Sequence, residues 1–477
     1  MVLPPGMTTV GSSASSSTMT RLLVTPEPDW LVPPTYASGE GARMTRGADD
    51  AVFAFEASSS YRAAQAHFNE LVLTYDPNLI IQMVQEHPFH IDALLQLHDV
   101  FQSSGQNETA QMMLRRALFT LESWCSPTFK AGLGDGTFKL RLSGDVLIGD
   151  EDALLKFDEG SDAGLTGAFV RALAVSMRTA GRRDCYETAF NLAKMLLSLL
   201  PDRDPVFAML SVDYYALKNR SFEWVLESHS AEEMYSLPCV TYARAIAMNA
   251  LSKNASSVFT RTEADGALKD AIKRFPMYAE LVFQEHQRQS PPALTALIQT
   301  SQKAYKDLGL ADLVERLCSL SFTRQASLWI DDRVAWLFDI CKRELSEAEL
   351  KQYVPPSPES FNKKMMTLYA RCRISDLTDK VNLLPRDELM ADEGAGMNFV
   401  DRAGGGRAGD DDDGFDDEED RPARPNVNLG VNDLLLLMQT MLPWARLPER
   451  QGGGAEGQEA EGGDDDGWED DDGEDLE

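Results

Sequence analysis

Between residues 51 and 385, apolar positions recur every three to four residues, the spacing that lines one face of an α-helix. The stretch from His87 to Glu122 is the clearest case. Leu94, Leu97, Phe101, Gly105, Ala110, Leu114 and Ala117 spell one amphipathic helix, a turn at Ser104-Gly105 and a second helix. Leu94 and Leu97 share a face, while Ala110 and Ala117 are small enough to let two helices approach closely. This is tetratricopeptide spacing. A second unit puts Ala189, Ala193, Leu196 and Pro201 at the second-helix positions and the terminal proline, and Phe207, Leu210 and Tyr214 continue the next helix in phase. A third, partial unit contains Ala267, Ala271 and Pro276. Irregular spacers separate the units. The predicted fold is therefore all-α: an α-α superhelix of degenerate tetratricopeptide-like helix pairs, each burying its face against its neighbours. From Leu310 helices resume, and Trp329 and Trp336, seven apart, are expected on one face as core.

The flanks read differently. Residues 1–50 are rich in Ser, Thr, Pro and Gly and are expected to be disordered or extended. Within them Leu22–Pro34, LLVTPEPDWLVPP, mixes prolines with Trp30 and aliphatics, as an extended segment packing on something does. Inside the helical domain, Gly132–Ser161 breaks the pattern; Phe138, Leu140 and Leu142 alternate with polar residues, which suggests a short hairpin or an ordered loop. After Pro385 come a Gly- and Asp-rich linker, 386–425, an apolar island, 426–448, and an acidic tail, 449–477. In the island Leu434, Leu437, Met438 and Met441 recur at helical spacing beside Leu442, Pro443 stops the helix, and Trp444 is free to anchor in a pocket. A helix this apolar must bury itself, so these six residues are the candidate partner-binding set, docking on the helical domain or on a partner.

Charge sharpens this division. The 477 residues carry a formal net charge of −31, and the runs 410–413, 416–420 and 449–477 account for about −22 of it. Such runs repel themselves and stay solvated, serving as a solubilising tail or a lure for a basic protein. No clustered Lys and Arg offer a phosphate footprint, so direct sequence-specific DNA binding is not expected. Six cysteines, at 125, 185, 239, 318, 341 and 372, form no C-x-x-C pair and lie near no His at zinc spacing. They fit core positions in a reducing compartment. Residues 1–20 lack the apolar stretch of a secretory signal, and the longest apolar cluster, Leu434–Met438, is too short to span a bilayer. The expectation is a protein of the cytosol, the nucleus or both, with no membrane partner.

The common catalytic signatures are missing from the sequence. Gly132-Leu133-Gly134-Asp135-Gly136 lacks GxGxxG spacing and a P-loop Lys-Ser/Thr, and the sequence carries no GxSxG, HExxH or kinase set. His87 and His90 flank Pro88-Phe89 at a helix start; without further ligands nearby they read as capping or surface packing. Asp92 and Asp99 lie on helices that packing already explains. The expectation is a chain that is not an enzyme, with no catalytic, cofactor-binding or metal residues and no cofactor.

The stretch Tyr75-Asp76-Pro77-Asn78 through His87-Pro88-Phe89-His90-Ile91-Asp92-Ala93-Leu94-Leu95-Gln96-Leu97 resembles the signature of the ribosome quality control complex subunit one family, called transcription factor 25 in animals. So do Ala117-Leu118-Phe119 near Cys125, Leu196-Leu197-Ser198-Leu199 leading into Asp204-Pro205, the TPEPDWLVPP segment at Thr25–Pro34, and Asn432-Asp433-Leu434 through Leu442-Pro443-Trp444. The resemblance covers roughly residues 22–448. It implies a non-catalytic scaffold subunit of the complex that acts on stalled large ribosomal subunits. There a RING-type ligase, listerin, attaches ubiquitin to the trapped nascent chain, and an AAA ATPase extracts it for ubiquitin-dependent catabolism. The implied partners are the large ribosomal subunit, the ligase, ubiquitin and the ATPase. The animal name points to the runner-up, a nuclear adaptor that represses transcription through protein contacts. An enzyme hidden in the diverged stretch between Phe129 and Phe169 is the remaining class. The resemblance also implies a Lys-rich region before the TPEPDW segment. This sequence starts at Met1 shortly ahead of that segment, so the expectation is that such a region is missing here or that the gene model is truncated.

Overall fold

The computed structural model describes residues 23–377 apart from 29, 48, 50, 75, 134–136, 143–162, 202–203, 254–258 and 346–360. The described chain is mostly helical, but it opens on a small sheet that an all-α expectation omits. β1, Ala42–Arg46, runs antiparallel to β2, Val52–Ala57, with Met44 opposite Phe55. β3, Lys139–Leu140, joins β2 in parallel through Val52 and Phe53. Among the described residues Phe138, Leu140 and Leu142 form no hairpin of their own; the strand Lys139–Leu140 pairs with one some 85 residues upstream. The physical reason is in β2. VFAFEA alternates at period two and buries Phe53, Phe55 and Ala57, while its edge groups find partners elsewhere. Phe53 packs against Phe129 and Phe138, Phe55 against Phe169, and the Phe55 N–H donates to Thr166 Oγ1 at 3.0 Å. The expected boundary at residue 51 therefore falls inside a sheet, and the segment before it contributes the buried residues Val24, Trp30, Ala42 and Met44. Gly41 is fixed by the close pass of the chain: a Cβ there would sit 2.2 Å from the Pro34 carbonyl oxygen.

The helices follow in pairs. α1 (Ser59–Val72), α2 (Pro77–Glu86), α3 (Ile91–Ser103), α4 (Asn107–Trp124) and α5 (Pro127–Gly132) precede β3. Then come α6 (Ala163–Arg182), α7 (Tyr186–Leu199), α8 (Met209–Lys218), α9 (Phe222–Glu227), α10 (Ala231–Ser236), α11 (Pro238–Leu251) and α12 (Arg261–Arg274). α13 (Pro276–Glu285), α14 (Pro292–Asp307), α15 (Ala311–Gln325), α16 (Asp331–Glu344), α17 (Lys363–Ala370) and α18 (Ile374–Leu377) complete the described chain. α3 packs on α4, α6 on α7 and α11 on α12, with Ala110, Ala117, Ala189, Ala193 and Ala271 fully buried at the crossings.

One turn joins these helices five times among the described residues. A residue in the left-handed region sits at Gly105, Asp184, Arg220, Gln287 and Gly309. In each case the next N–H reaches back five residues: Gln106 to Phe101, Cys185 to Ala180, Ser221 to Ala216, Arg288 to Phe283 and Leu310 to Tyr305, at 2.8–2.9 Å. This double-bonded helix ending satisfies carbonyls that would otherwise be orphaned and sends the chain back along the helix it has left.

α15 behaves differently from a helix in a one-dimensional stack. It packs on α8, α11, α13, α14, α17 and α18, so the later half closes around it. Tyr242 and Tyr278 stack at 4.0 Å beside it, and the Tyr278 hydroxyl donates to Gln325 at 2.8 Å while accepting from Trp329 at 2.9 Å. Trp329 and Trp336 are both core, but not on one helix face: Trp329 caps a 3-10 turn ahead of α16, whereas Trp336 lies within α16 and donates to Asp265 at 2.7 Å. Polar contacts tie down the closing segment: Arg178 donates to Asp376 at 3.1 Å, Tyr369 to Asp204 at 3.3 Å, and Arg324 to the Leu377 carbonyl at 2.9 Å.

Candidate functional site

The residues singled out in the sequence converge on the start of α3. α2 ends at Glu86, and the HPFH turn reverses the chain. His90 is the residue just ahead of α3, and its Nδ1 accepts from the Ala93 N–H at 3.2 Å. Its ring stacks on Tyr61 with centroids 5.2 Å apart and planes 14° apart, and Phe68 lies 5.1 Å away. Tyr61 and Phe68 stand seven apart on α1, about two helical turns, or ~10.5 Å, which is the room one intervening ring needs. The Tyr61 hydroxyl accepts from the Ile91 N–H at 3.0 Å, so a second orphan donor of α3 is satisfied from another helix. Burial pushes the His90 pKa down to about 4, opposed in part by the Asp92 carboxylate. Asp92 pairs with Arg171, which ties α3 to α6. His87 is exposed, so the two histidines take unlike roles.

The TPEPDW segment packs along α4. The Leu23 and Val24 N–H groups donate to one oxygen of Glu122 at 3.1 and 3.2 Å. Arg115 donates to Glu27 at 2.7 Å and to the Thr25 carbonyl at 3.0 Å, and its guanidinium lies 5.2 Å from the Trp30 ring. Trp30 meets Phe119 edge-on at 5.6 Å, and Trp124 Nε1 donates to the Pro34 carbonyl at 2.8 Å. Prolines at 26, 28, 33 and 34 hold the strap extended, which exposes its backbone groups to these side chains.

Another histidine with a buried ring lies far along the chain. His229 Nε2 sits 2.6 Å from Asp213, and its Nδ1 lies 3.6 Å from Glu233. Burial alone would lower its pKa, but Asp213 and then Glu233 outweigh it and hold it up to about 10. Five of the six cysteines are buried and Cys185 is exposed. Burial pushes the Cys125 and Cys341 thiols up to about 12. Among the described residues, no group of three or more His, Cys, Asp and Glu is placed to hold a metal, and no helix is long and apolar enough to cross a membrane. The candidate set Leu434, Leu437, Met438, Met441, Leu442 and Trp444 lies outside the described residues.

The sequence model of the family described as "Transcriptional repressor TCF25" matches residues 53–143 and 168–399. The chain belongs to this family. It is 29% identical over 234 residues to ribosome quality control complex subunit 1 of Schizosaccharomyces pombe, covering 48% of this chain and 32% of that protein. It is 28% identical over 265 residues to the human ribosome quality control complex subunit TCF25, covering 53% and 36%. A protein named probable transcription factor claV from Ampulloclitocybe clavipes matches over 418 residues at 25% identity, covering 77% of this chain and 50% of the relative. The matches with the yeast and human proteins thus span about a third of those relatives' length. No solved structure matches. The family match begins in β2, runs through the HPFH turn to just past β3, and resumes in α6.

Sequence reasoning missed Tyr61, Glu122, Asp213 and His229. Glu122 did carry a signal: it follows Leu114 and Leu118 at intervals of four, on the buried stripe of α4, where a carboxylate needs a partner. Asp213 carried a similar one between Val212 and Tyr214, in a helix buried on every side. Nothing in the sequence pairs it with His229.

Proposed function

We propose that this chain is a non-catalytic scaffold subunit in ribosome quality control, supporting ubiquitination and extraction of stalled nascent chains on large ribosomal subunits. The observation that carries the reading is the family match over residues 53–143 and 168–399, joined to relatives in fission yeast and human that bear that name. The polar groups described above support the non-catalytic part: they cap helices, clasp the strap or pair across elements. The proposed partners are the large ribosomal subunit, a listerin-like RING ligase, ubiquitin and an AAA ATPase, in the cytosol. Tetratricopeptide-like helix pairs stacked as a superhelix are the proposed scaffold surface. The test is affinity purification of the native protein with mass spectrometry and gradient sedimentation. Large-subunit proteins together with a RING ligase are the expected result; their absence would remove the reading.

A second reading, a nuclear adaptor that represses transcription through protein contacts, draws on the family's description and on the match covering 77% of this chain to a probable transcription factor. Nuclear enrichment with chromatin proteins and no ribosomal proteins would select it. Within the first reading, the island at 426–448 docks on a complex partner. The double substitution Leu437→Asp with Met441→Asp is expected to leave melting unchanged while ribosome or ligase co-purification is lost.

A further inference from the structure

The strap is held on α4 as a ligand is held on a receptor. Its contacts fall on Arg115, Phe119 and Glu122, which stand at intervals of four and three and so share one face of that helix, and on Trp124 at the helix end. Side chains of α4 read four main-chain groups of the strap: Glu122 the Leu23 and Val24 N–H groups, Arg115 the Thr25 carbonyl, and Trp124 the Pro34 carbonyl. Residues 23 and 34 thus both meet the carboxyl-terminal end of α4, and Thr25 and Glu27 reach back to Arg115 between them. The segment is a loop clasped by one helix. Trp30 sends its ring into the clasp, edge-on to Phe119 and beside the Arg115 guanidinium. Thr25, Glu27, Pro28 and Val32 are exposed on the outside.

Three properties make this contact separable from the rest of the fold. The receptor face stands without the strap: α4 packs on α3, α6 and β1 through its other sides, where Leu114, Ala117, Leu118 and Leu121 are buried. The ligand is preorganised: prolines at 26, 28, 33 and 34 keep it extended when free, so docking orders little chain. The contact is small: among the described strap residues only Val24, Trp30 and Pro33 are buried, and a segment with so little buried apolar surface opens well below the global unfolding free energy. Main-chain recognition beside one aromatic pocket is also how grooves read extended proline-rich segments of other proteins. We infer that this face of α4 is a binding site for an extended, proline-bracketed tryptophan peptide, that residues 23–34 occupy it in cis, and that their release opens it to a segment of the same chemistry on a partner protein. The resident strap shows what the site accepts: two adjacent N–H groups for Glu122, carbonyls for Arg115 and Trp124, and an indole against Phe119. No part of this rests on the ribosome reading.

The test uses the full chain. In the parent, the Leu23 and Val24 amides should exchange with solvent together, at least ~100-fold faster than the Leu118 and Leu121 amides within α4. This measurement needs no variant. The probe for the vacated site is a fluorescein-labelled peptide of residues 21–35. Trp30→Ala, which loosens the cis strap, should bind it with a Kd of about 100 µM or tighter. The parent should bind it about tenfold more weakly or worse, because its own strap competes at roughly millimolar effective concentration. Arg115→Ala added to Trp30→Ala should lose about tenfold in affinity, and so should a peptide carrying Trp30→Ala. A peptide of the same composition in scrambled order should not bind. Circular dichroism and melting check that each variant is folded. Strap amides that exchange no faster than those of α4, no binding to folded Trp30→Ala at ~1 mM peptide, equal affinity in the parent and Trp30→Ala, or equal binding of the scrambled peptide would each overturn the assignment.

Discussion

Two histidines with buried rings, His90 and His229, occupy comparable places and are held in opposite states. His90 stands just ahead of α3 and His229 just ahead of the Ser230 cap of α10. Around His90 the neighbours are rings and a backbone N–H, so burial wins and the imidazole stays neutral down to about pH 4. Around His229 the Asp213 and Glu233 carboxylates overcome the effect of burial, and the imidazole stays charged up to about pH 10. The difference teaches that depth of burial does not set charge; the partners within hydrogen-bonding reach do. It also gives the two regions opposite responses to pH.

The largest expected effect breaks the charged side. Asp213→Ala leaves His229 buried without its main counter-charge and should lower stability by about 3–5 kcal/mol at pH 7, read from urea unfolding. In the parent protein the His229 contribution is complete below its unfolded value near 6.5 and is lost as pH rises through about 10. Asp213→Ala should therefore flatten the alkaline limb, and an unchanged limb would show that the pair is not what titrates.

The next effect lies on the neutral side and has the opposite sign. The His90 pKa is lowered, so the unfolded chain takes up a proton first and stability falls as pH drops from about 6.5 to about 4. The loss is on the order of 3 kcal/mol from the size of the shift. His90→Asn should start less stable, and its difference from the parent should shrink across that window. A smaller change, about 1 kcal/mol, is expected for Tyr61→Phe, which keeps the stack but removes the acceptor of the Ile91 N–H; exchange of that amide should speed up more than exchange deeper in α3. The smallest is Glu233→Gln, at about 0.5 kcal/mol. Glutamine can still complete the capping box at Ser230, and the alkaline limb should shift only slightly.

The α3–α4 pair was legible because Ala110 and Ala117 mark a crossing and Gly105 marks the turn. The same turn at Asp184, Arg220 and Gln287 was not, because those residues adopt a left-handed backbone that their identities do not announce. Local structure there is set by the packing of the helices on either side. The sheet was hidden for a related reason. β3 is two residues long, and its pairing depends on a strand far upstream. Of the candidate site, the HPFH turn and its capping role could be read from the residues. The rings that sandwich His90 come from another helix, and no local pattern names them.

The strap on α4 has a kinetic consequence. Its anchor, Glu122, lies 99 residues after Leu23 in the chain. During synthesis at roughly 5–20 residues per second, the strap waits roughly 5–20 s before its binding groove has been made. Arg178 waits longer for Asp376, 198 residues on. Both closures are non-local, so each must overcome a large loss of chain entropy before it gains contacts. Its amino-terminal proline-rich segment, Trp30 included, passes through a period of exposure on every nascent copy.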